Sequence, residues 1–216
     1  MLVLQRLKSM KKIWVIGFLV GICGLANATQ IQINAPSGLI GTNALDGSNA
    51  YEWGLNLGNG THLISAEIDF TNIKLTASGN TNGTGLLFCD LLKATQTGLT
   101  SVSDGDKSGD YWSTVFTGAN ITRLSTNSFA SVGTTLTWSI ILNSSQLTAL
   151  NSYLAANAGV FNIGLDPDCH YNVGGIDFKY TTPDVATTVL LLAASLLGLE
   201  ILRRRLVLTK ARSSSS

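Results

Sequence analysis

Short stretches of alternating apolar and polar residues fill residues 29–182, separated by clusters of Gly, Asn, Ser and Asp. Successive side chains of a strand point to opposite faces, so this pattern is typical of an all-β domain. It predicts nine strands, at Thr29–Ala35, Tyr51–Leu57, His62–Ala77, Gly85–Leu92, Tyr111–Thr117, Ile121–Ala130, Thr134–Asn143, Val160–Leu165 and Ile176–Thr182. Strands of this number and length favour a two-layer β-sandwich of the jelly-roll type over a closed barrel.

Two details of the strands follow from the same pattern. The stretch His62–Ala77 is long for one strand, and we expect it to bend or carry a bulge near Asn72. In the last strand, Ile176, Phe178 and Tyr180 fall on one face, which predicts that this face is buried.

One short helix is expected within the β-domain. Ser144 or Ser145 can cap a helix over Gln146–Ala156, whose leucines recur at i, i+3 and i+7. Gly159 follows shortly after the end of this segment, where a glycine commonly terminates a helix.

Residues 1–28 have the three-part layout of a secretory signal peptide. Four bases precede an apolar run over residues 13–25, and the run ends in Ala26-Asn27-Ala28. Small residues at this point fit a signal peptidase, so we expect cleavage after Ala28. An uncleaved membrane helix is the alternative. The four bases are Arg6, Lys8, Lys11 and Lys12.

Residues 183–216 contain a second apolar segment. Val185–Leu202 has one charge, Glu200, and three arginines follow it. As a helix these residues would rise roughly 27 Å, close to the roughly 30 Å hydrocarbon core of a bilayer. The arginines resist translocation, so the pattern predicts a transmembrane helix with the β-domain outside. A buried core helix is the alternative. The arginines are Arg203, Arg204 and Arg205.

This tail resembles a known sorting signal. Pro183-Asp184, a short spacer, an apolar helix and an arginine cluster occur in the order of a PEP-CTERM-type signal, most closely the VPDSG-CTERM variant, although Thr182 and Val185-Ala186 differ from that variant. The resemblance implies an exosortase that cuts near Pro183-Asp184 and hands the domain to the cell surface or extracellular matrix. It also implies a Gram-negative-type bacterium that makes extracellular polysaccharide, a possible partner.

Charge is scarce and unevenly divided. Charged residues make up 12% of the 216 residues, against roughly 25% in a typical soluble domain. Residues 29–182 hold five bases and eleven acids, whereas both ends are basic. An acidic middle domain argues against nucleic acid as a partner, because such binding needs a basic face.

Two cysteines remain if Cys23 is removed with the signal peptide. In an oxidising compartment, an even count predicts a disulfide between Cys89 and Cys169. Two buried thiols are the alternative, and a zinc site that includes His170 would still need a fourth ligand.

Two acidic segments are candidate calcium loops. In Asp166-Pro167-Asp168 two carboxylates are held apart by a proline, and calcium prefers several hard oxygen ligands. A plain turn is the alternative. The segment 104–110 matches the first half of a calcium loop through Asp104, Asp106 and Asp110, but its twelfth position is Val115, where an EF-hand has Glu. A solvated hairpin loop is the alternative there.

Catalysis has little support in the sequence. The domain has two histidines and none of the common hydrolase or metalloprotease motifs, so we expect no enzyme, although a pair of carboxylates could still form a hydrolase site. The leading hypothesis is a non-enzymatic surface or matrix protein. The alternative is a carbohydrate-binding module that stacks sugars on aromatic side chains and could use calcium to do so. The candidate aromatics are Trp53, Tyr111, Trp112 and Trp138.

Overall fold

A computed structural model describes residues 28–77, 84–105 and 109–183, together with residues 193, 195–201 and 203. Residues Gln30–Thr182 form one compact unit, and residues 1–29 and 183–216 are assigned to another.

The described residues of the second unit are few. Residues 193, 195–201 and 203 are helical. Within the portion of the chain that is described, no helix has both the length and the apolar character needed to cross a membrane. Residues 1–27 of the predicted signal peptide lie outside the described residues, as do residues 185–192, 194 and 202 of the predicted transmembrane helix.

The compact unit is mostly β, which confirms the all-β class. Its described residues form eleven strands: β1 Gln30–Asn34, β2 Gly41–Leu45, β3 Asn49–Asn56, β4 Ser65–Ala77, β5 Gly85–Leu92, β6 Gly98–Ser103, β7 Ile121–Phe129, β8 Thr135–Ile141, β9 Val160–Pro167, β10 His170–Val173 and β11 Gly175–Thr181. Two α-helices accompany them, α1 Trp112–Val115 and α2 Ser144–Ala156.

The strands form two antiparallel sheets. The first sheet has the order β1-β11-β4-β10-β2, and β8 also pairs with β4. Because β10 and β11 pair with successive parts of β4, they lie end to end along one side of it and β8 lies along the other. The second sheet has the order β6-β3-β9-β5-β7.

The core lies between the two sheets. The rings of Phe161 in β9 and Phe178 in β11 approach to 5.2 Å between centroids, and those of Phe129 in β7 and Tyr171 in β10 to 4.8 Å. The hydroxyl of Tyr171 donates to the carbonyl of Leu86 across the core at 2.9 Å. This bond satisfies the one polar atom of a fully buried ring, so the ring can pack as an apolar group.

The predicted irregularity near Asn72 is confirmed. The pairing of β4 with β8 shifts register between Phe70 and Ile73, and Asn72 adopts φ 51°. Asparagine is one of the few residues that tolerate this left-handed conformation. The buried face predicted for the last strand is confirmed as well, because the three apolar residues of β11 are buried and the residues between them are half-buried.

Other local predictions are corrected by the structure. The strand predicted at Tyr111–Thr117 is wrong, because α1 occupies its centre. The helix predicted at Gln146–Ala156 is present but begins at Ser144, and its cap is Asn143 rather than a serine. The Asn143 side chain accepts from the Gln146 N–H at 3.0 Å, and the Gln146 side chain accepts from the Asn143 N–H at 3.0 Å, which is a capping box. The strands β2, β6 and β10 were not predicted.

Candidate functional site

The outer face of the second sheet, turned away from the core, carries the candidate site. Along β9, Phe161, Ile163 and Leu165 face the core, so Gly164 and Asp166 face outward. Nevertheless nearly all of β9 is buried. The reason is that residues 104–105 and 109–120, which we call the covering segment, fold back over this face.

Trp112 fixes the covering segment to the sheet. Its indole lies on Gly164, where a Cβ would come within 2.8 Å of the ring, and its Nε1 donates to the carbonyl of Leu165 at 3.4 Å. Ala50 and Leu92 complete a small apolar cluster around the indole. A strand residue without a side chain is therefore what lets the ring reach the sheet.

The turn before α1 is closed by polar contacts. The Trp112 N–H donates to Asp110 Oδ1 at 3.1 Å, and the Thr114 hydroxyl donates to the Tyr111 carbonyl at 2.7 Å. These local bonds favour a helical turn over a strand.

Five aspartates meet between the covering segment and the sheet. Asp166 lies on β9, and Asp168 follows just after the end of that strand. The Tyr111 N–H donates to Asp166 Oδ2 at 2.6 Å, and the Gly109 N–H approaches Asp168 Oδ1 at 3.5 Å. The charges of Asp104 and Asp110 act on both of them. We call the five residues the acidic cluster: Asp90, Asp104, Asp110, Asp166 and Asp168.

Asp166 is the most constrained member of the acidic cluster. It is 0% exposed, and its Oδ1 has no hydrogen-bond partner although Oδ2 is held by a backbone N–H. Burial, above all, raises the pKa of Asp166 to about 8. The Tyr111 N–H opposes this, whereas a hydrogen bond with Asp104 and the charges of Asp104 and Asp110 add to it. The carboxyl of Asp166 is therefore poorly stabilised as an anion.

Asp90 is compensated by an arginine. Arg123 Nε donates to Asp90 Oδ1 at 2.6 Å, and the same guanidinium pairs with Asp110. Burial still raises the pKa of Asp90 to about 7, against the opposing effect of Arg123. Asp90 Oδ2 is buried without a partner, like Asp166 Oδ1.

A further buried acid lies on the same face. Glu52 in β3 is 9% exposed, and its Oε1 accepts from Asn162 Nδ2 at 2.7 Å. Burial raises the pKa of Glu52. Buried carboxylates are normally paired with a cation or bound to a metal, and Arg123 pairs with only two members of the acidic cluster. Among the described residues, Arg123 thus pairs with Asp90 and Asp110, while Glu52 is held by Asn162.

The two predicted calcium loops are brought together in the structure. The sequence suggested them separately, but Asp104 and Asp110 lie beside Asp166 and Asp168, while Asp106 lies outside the described residues. Across the described ranges, no group of three or more His, Cys, Asp or Glu side chains is arranged to hold a metal ion.

Sequence reasoning missed Asp90 and Arg123. A signal was present, because Asp90 is a charged residue inside the apolar run 86–92. A charge in such a run requires a partner, and the partner is 33 residues further along the chain.

The predicted Cys89–Cys169 disulfide is wrong in this structure, where both residues are thiols. Cys89 lies in the middle of β5, opposite Leu165, whereas the Cys169 thiol donates to the Thr84 carbonyl, just before β5, at 3.5 Å. The four residues of strand from Gly85 to Cys89 span about 13 Å. A disulfide needs Cα atoms within about 7 Å of each other, so these two thiols are too far apart.

The aromatic candidates for sugar stacking are mostly covered. Trp53 is 3% exposed and Trp112 is 2% exposed. Trp138 is half-buried and stacks on Phe70 with ring centroids 4.8 Å apart. Tyr111 is half-buried beside Trp112.

Two of the predicted sorting residues are described. Pro183 follows β11 after one intervening residue, and Arg203 is helical, with its Nη1 3.7 Å from Glu200 Oε2. The other three, Asp184, Arg204 and Arg205, lie outside the described residues.

No family model matches this chain, and no curated protein matches it. Among solved structures, a recombinantly expressed latent aurone synthase (polyphenol oxidase) is similar over 65% of this chain and 25% of its own, with 12% identity and a TM-score of 0.37. A structure of the Gx strain of infectious bursal disease virus is similar over 72% of this chain and 31% of its own, with 10% identity and a TM-score of 0.31. The chain therefore spans less than a third of either protein, and at these TM-scores the likenesses carry no argument about function.

Proposed function

We propose that this chain is a non-enzymatic exported protein of the cell surface or extracellular matrix. A signal peptide directs its export, a C-terminal helix anchors it facing outward, and an exosortase-type enzyme processes its PEP-CTERM-type tail. The β-domain is, in this proposal, a two-layer sandwich of the jelly-roll type.

The position of the first and last strands carries the proposal. β1 begins at Gln30, two residues after Ala28, and β11 ends at Thr181, two residues before Pro183. Gln30 and Thr181 pair directly with each other. Cleavage at both expected sites would therefore remove no strand from either sheet.

The chemistry of the tail supports the same reading. Proline has a fixed φ and no N–H, so Pro183 cannot extend the β-ladder and leaves an extended segment that a protease could grip. The apolar residues and the three arginines that follow would hold that segment beside the outer surface of a membrane.

The carbohydrate-binding alternative has no specific observation in its favour. Its strongest candidates, Trp53 and Trp112, are buried and offer no stacking surface. We therefore rank it second, with no ligand site assigned.

Cell fractionation with sequencing of both termini tests the proposal. The expected surface form begins at Thr29 and ends near Pro183, and mass spectrometry of that form should find no peptide from residues 190–216. Changing Pro183→Ala together with Asp184→Ala should leave the tail uncut and the protein in the membrane fraction. Lys210→Ser together with Arg212→Ser is the matched control, because it alters tail residues outside the motif and should be processed normally.

Two results would contradict the proposal. Intact tail peptides in the surface form would exclude processing. Unchanged location of a chain that lacks residues 185–205 would exclude both the anchor and the sorting signal.

A further inference from the structure

We propose that the open edge of β8 pairs with the same strand of a second copy of this chain. The two strands would run antiparallel about a two-fold axis at Trp138 and would join the first sheets of both copies into one. The inference concerns the folded domain itself and does not depend on where the protein is located or how its tail is processed.

The first step in the argument is the direction of the backbone groups of β8. In the part of the chain that the structure describes, β8 pairs with β4 alone. The Leu142 N–H donates to the Ala66 carbonyl at 3.0 Å, so the even-numbered residues of β8, in step with Leu142, direct their backbone groups toward β4. The odd-numbered residues, from Thr135 to Ile141, therefore direct theirs toward the open edge.

The second step is that β8 lacks the features that protect an edge strand. It reads TLTWSII, without a charge, Gly or Pro, and it is the longest uncharged edge strand among those described. The edge strand β7 of the second sheet differs, because it contains Arg123 and because Gln146 of α2 donates to the carbonyls of Arg123 and Leu124. In β2, Asn43 interrupts the edge with φ 49°. An unprotected edge is a template for one more strand.

The third step is that β8 is complementary to itself when antiparallel. With the axis at Trp138, Thr137 of one copy lies opposite Ser139 of the other, and Thr135 lies opposite Ile141. All four residues are odd-numbered, so both pairs can exchange backbone hydrogen bonds across the new interface. The same residues repeat on both sides of the axis, as a two-fold interface requires.

The side chains of β8 fit this pairing. Leu136 and Trp138 pack against the core but are only half-buried. In the dimer, Leu136 would lie opposite Ile140 of the other copy, and the two Trp138 rings would meet at the axis. Ile141, which is 73% exposed, would gain a neighbour in Thr135 of the other copy.

The charges beside β8 favour the antiparallel orientation. On β4, Glu67 pairs with Ile141 and Lys74 pairs with Thr135. Antiparallel pairing places Glu67 of one copy in the same row as Lys74 of the other, three strand spacings or about 14 Å apart. The attraction is small at that separation, but a parallel pairing in register would place like charges in each row.

Disulfide cross-linking of the full chain in detergent tests the arrangement. In a Cys23→Ser background, a mixture of Thr135→Cys and Ile141→Cys should form a covalent dimer on oxidation, because the two Cα atoms would lie about 5.5 Å apart. Each variant alone should not cross-link, because its two copies of one position would lie about 20 Å apart along the strands.

Proline variants test the edge itself. Thr137→Pro removes an N–H that faces the open edge, so it should leave the β4 pairing intact and raise the Kd of the dimer at least tenfold in analytical ultracentrifugation. Gln32→Pro on β1 is the matched control. The Ala35 N–H donates to the Ile176 carbonyl, so the Gln32 N–H also faces an open edge, and this variant should dimerise like the wild type.

Three results would overturn the proposal. The first is a wild-type chain that stays monomeric at the highest soluble concentration. The second is Thr137→Pro that dimerises as tightly as the wild type, which would place the contact elsewhere in the chain. The third is a mixture of cysteine variants that cross-links no better than Thr135→Cys alone, which would exclude the antiparallel two-fold pairing.

Discussion

The contact between Trp112 and Gly164 can be tested from both sides. A Cβ added at Gly164 would lie 2.8 Å from Trp112 Cδ1 and 3.0 Å from Leu92 Cδ1. Overpacking of this kind costs about 1–3 kcal/mol, so Gly164→Ala should lower the free energy of unfolding by that amount. Trp112→Ala removes a ring that is 2% exposed, which should cost about 3–5 kcal/mol.

The double variant distinguishes this contact from a general loss of stability. Once the indole is removed, the end of the Leu92 side chain, 3.0 Å from the added Cβ, can shift into the space that the ring leaves. Alanine is then favoured over glycine inside a strand by about 0.5–1 kcal/mol. Gly164→Ala should therefore destabilise the wild type and stabilise Trp112→Ala. Two residues in contact should show such coupling, of about 1.5 kcal/mol or more.

Urea unfolding followed by circular dichroism measures all four proteins. Trp138→Ala is the control background, because Trp138 stacks on Phe70 in the other sheet and Gly164→Ala should cost the same there as in the wild type. An equal cost of Gly164→Ala with and without Trp112 would refute the packing described above.

Three further predictions concern acidity, capping and the thiols. Lowering the pH from 7 to 5 in EDTA should raise the free energy of unfolding. Burial holds the pKa of Asp90 at about 7 and that of Asp166 at about 8, against about 3.9 in the unfolded chain, so the folded protein binds more protons over this range. The free energy should change by at most about 1.4 kcal/mol per pH unit for each group, as measured by urea titrations, and Asp166→Asn should flatten this slope. Asn143→Ala should cost about 0.5–2 kcal/mol in thermal unfolding, because both bonds of the capping box depend on that residue, and no loss would contradict the cap. A thiol reagent should label neither Cys89 nor Cys169 in the native protein and both after denaturation, whereas two unreactive sulfurs in denaturant would indicate a disulfide.

The sequence pattern predicts best those strands in which one face is apolar and the other is polar. The alternation in β11 and the break near Asn72 were visible because apolar residues recur at every second position on either side. β2 and β10 are missed because each is only five or four residues long and depends on its neighbour for pairing. The strand predicted over α1 is wrong because the helical turn depends on Trp112 packing onto Gly164, which lies 52 residues away along the chain.

The candidate site could be predicted only in its parts. The sequence offers the two acidic segments as separate candidate calcium loops, each with a plain loop as the alternative. Nothing local shows that residues 104 and 166 meet, because their proximity depends on the covering segment crossing β9. The disulfide was wrong for a related reason. An even number of cysteines does not show how the strands that carry them are aligned. The pairing of β5 with β9 places the two thiols too far apart for a disulfide.

The place of β11 in its sheet determines how the domain would respond to force. β11 is paired with β1 over residues 177–181 on one side and with β4 over residues 175–181 on the other. A pull applied through Pro183 would therefore act on an interior strand, whose hydrogen bonds on both flanks share the load. An edge strand in that position could peel away one bond at a time, whereas this arrangement resists stretching until both neighbours give way together.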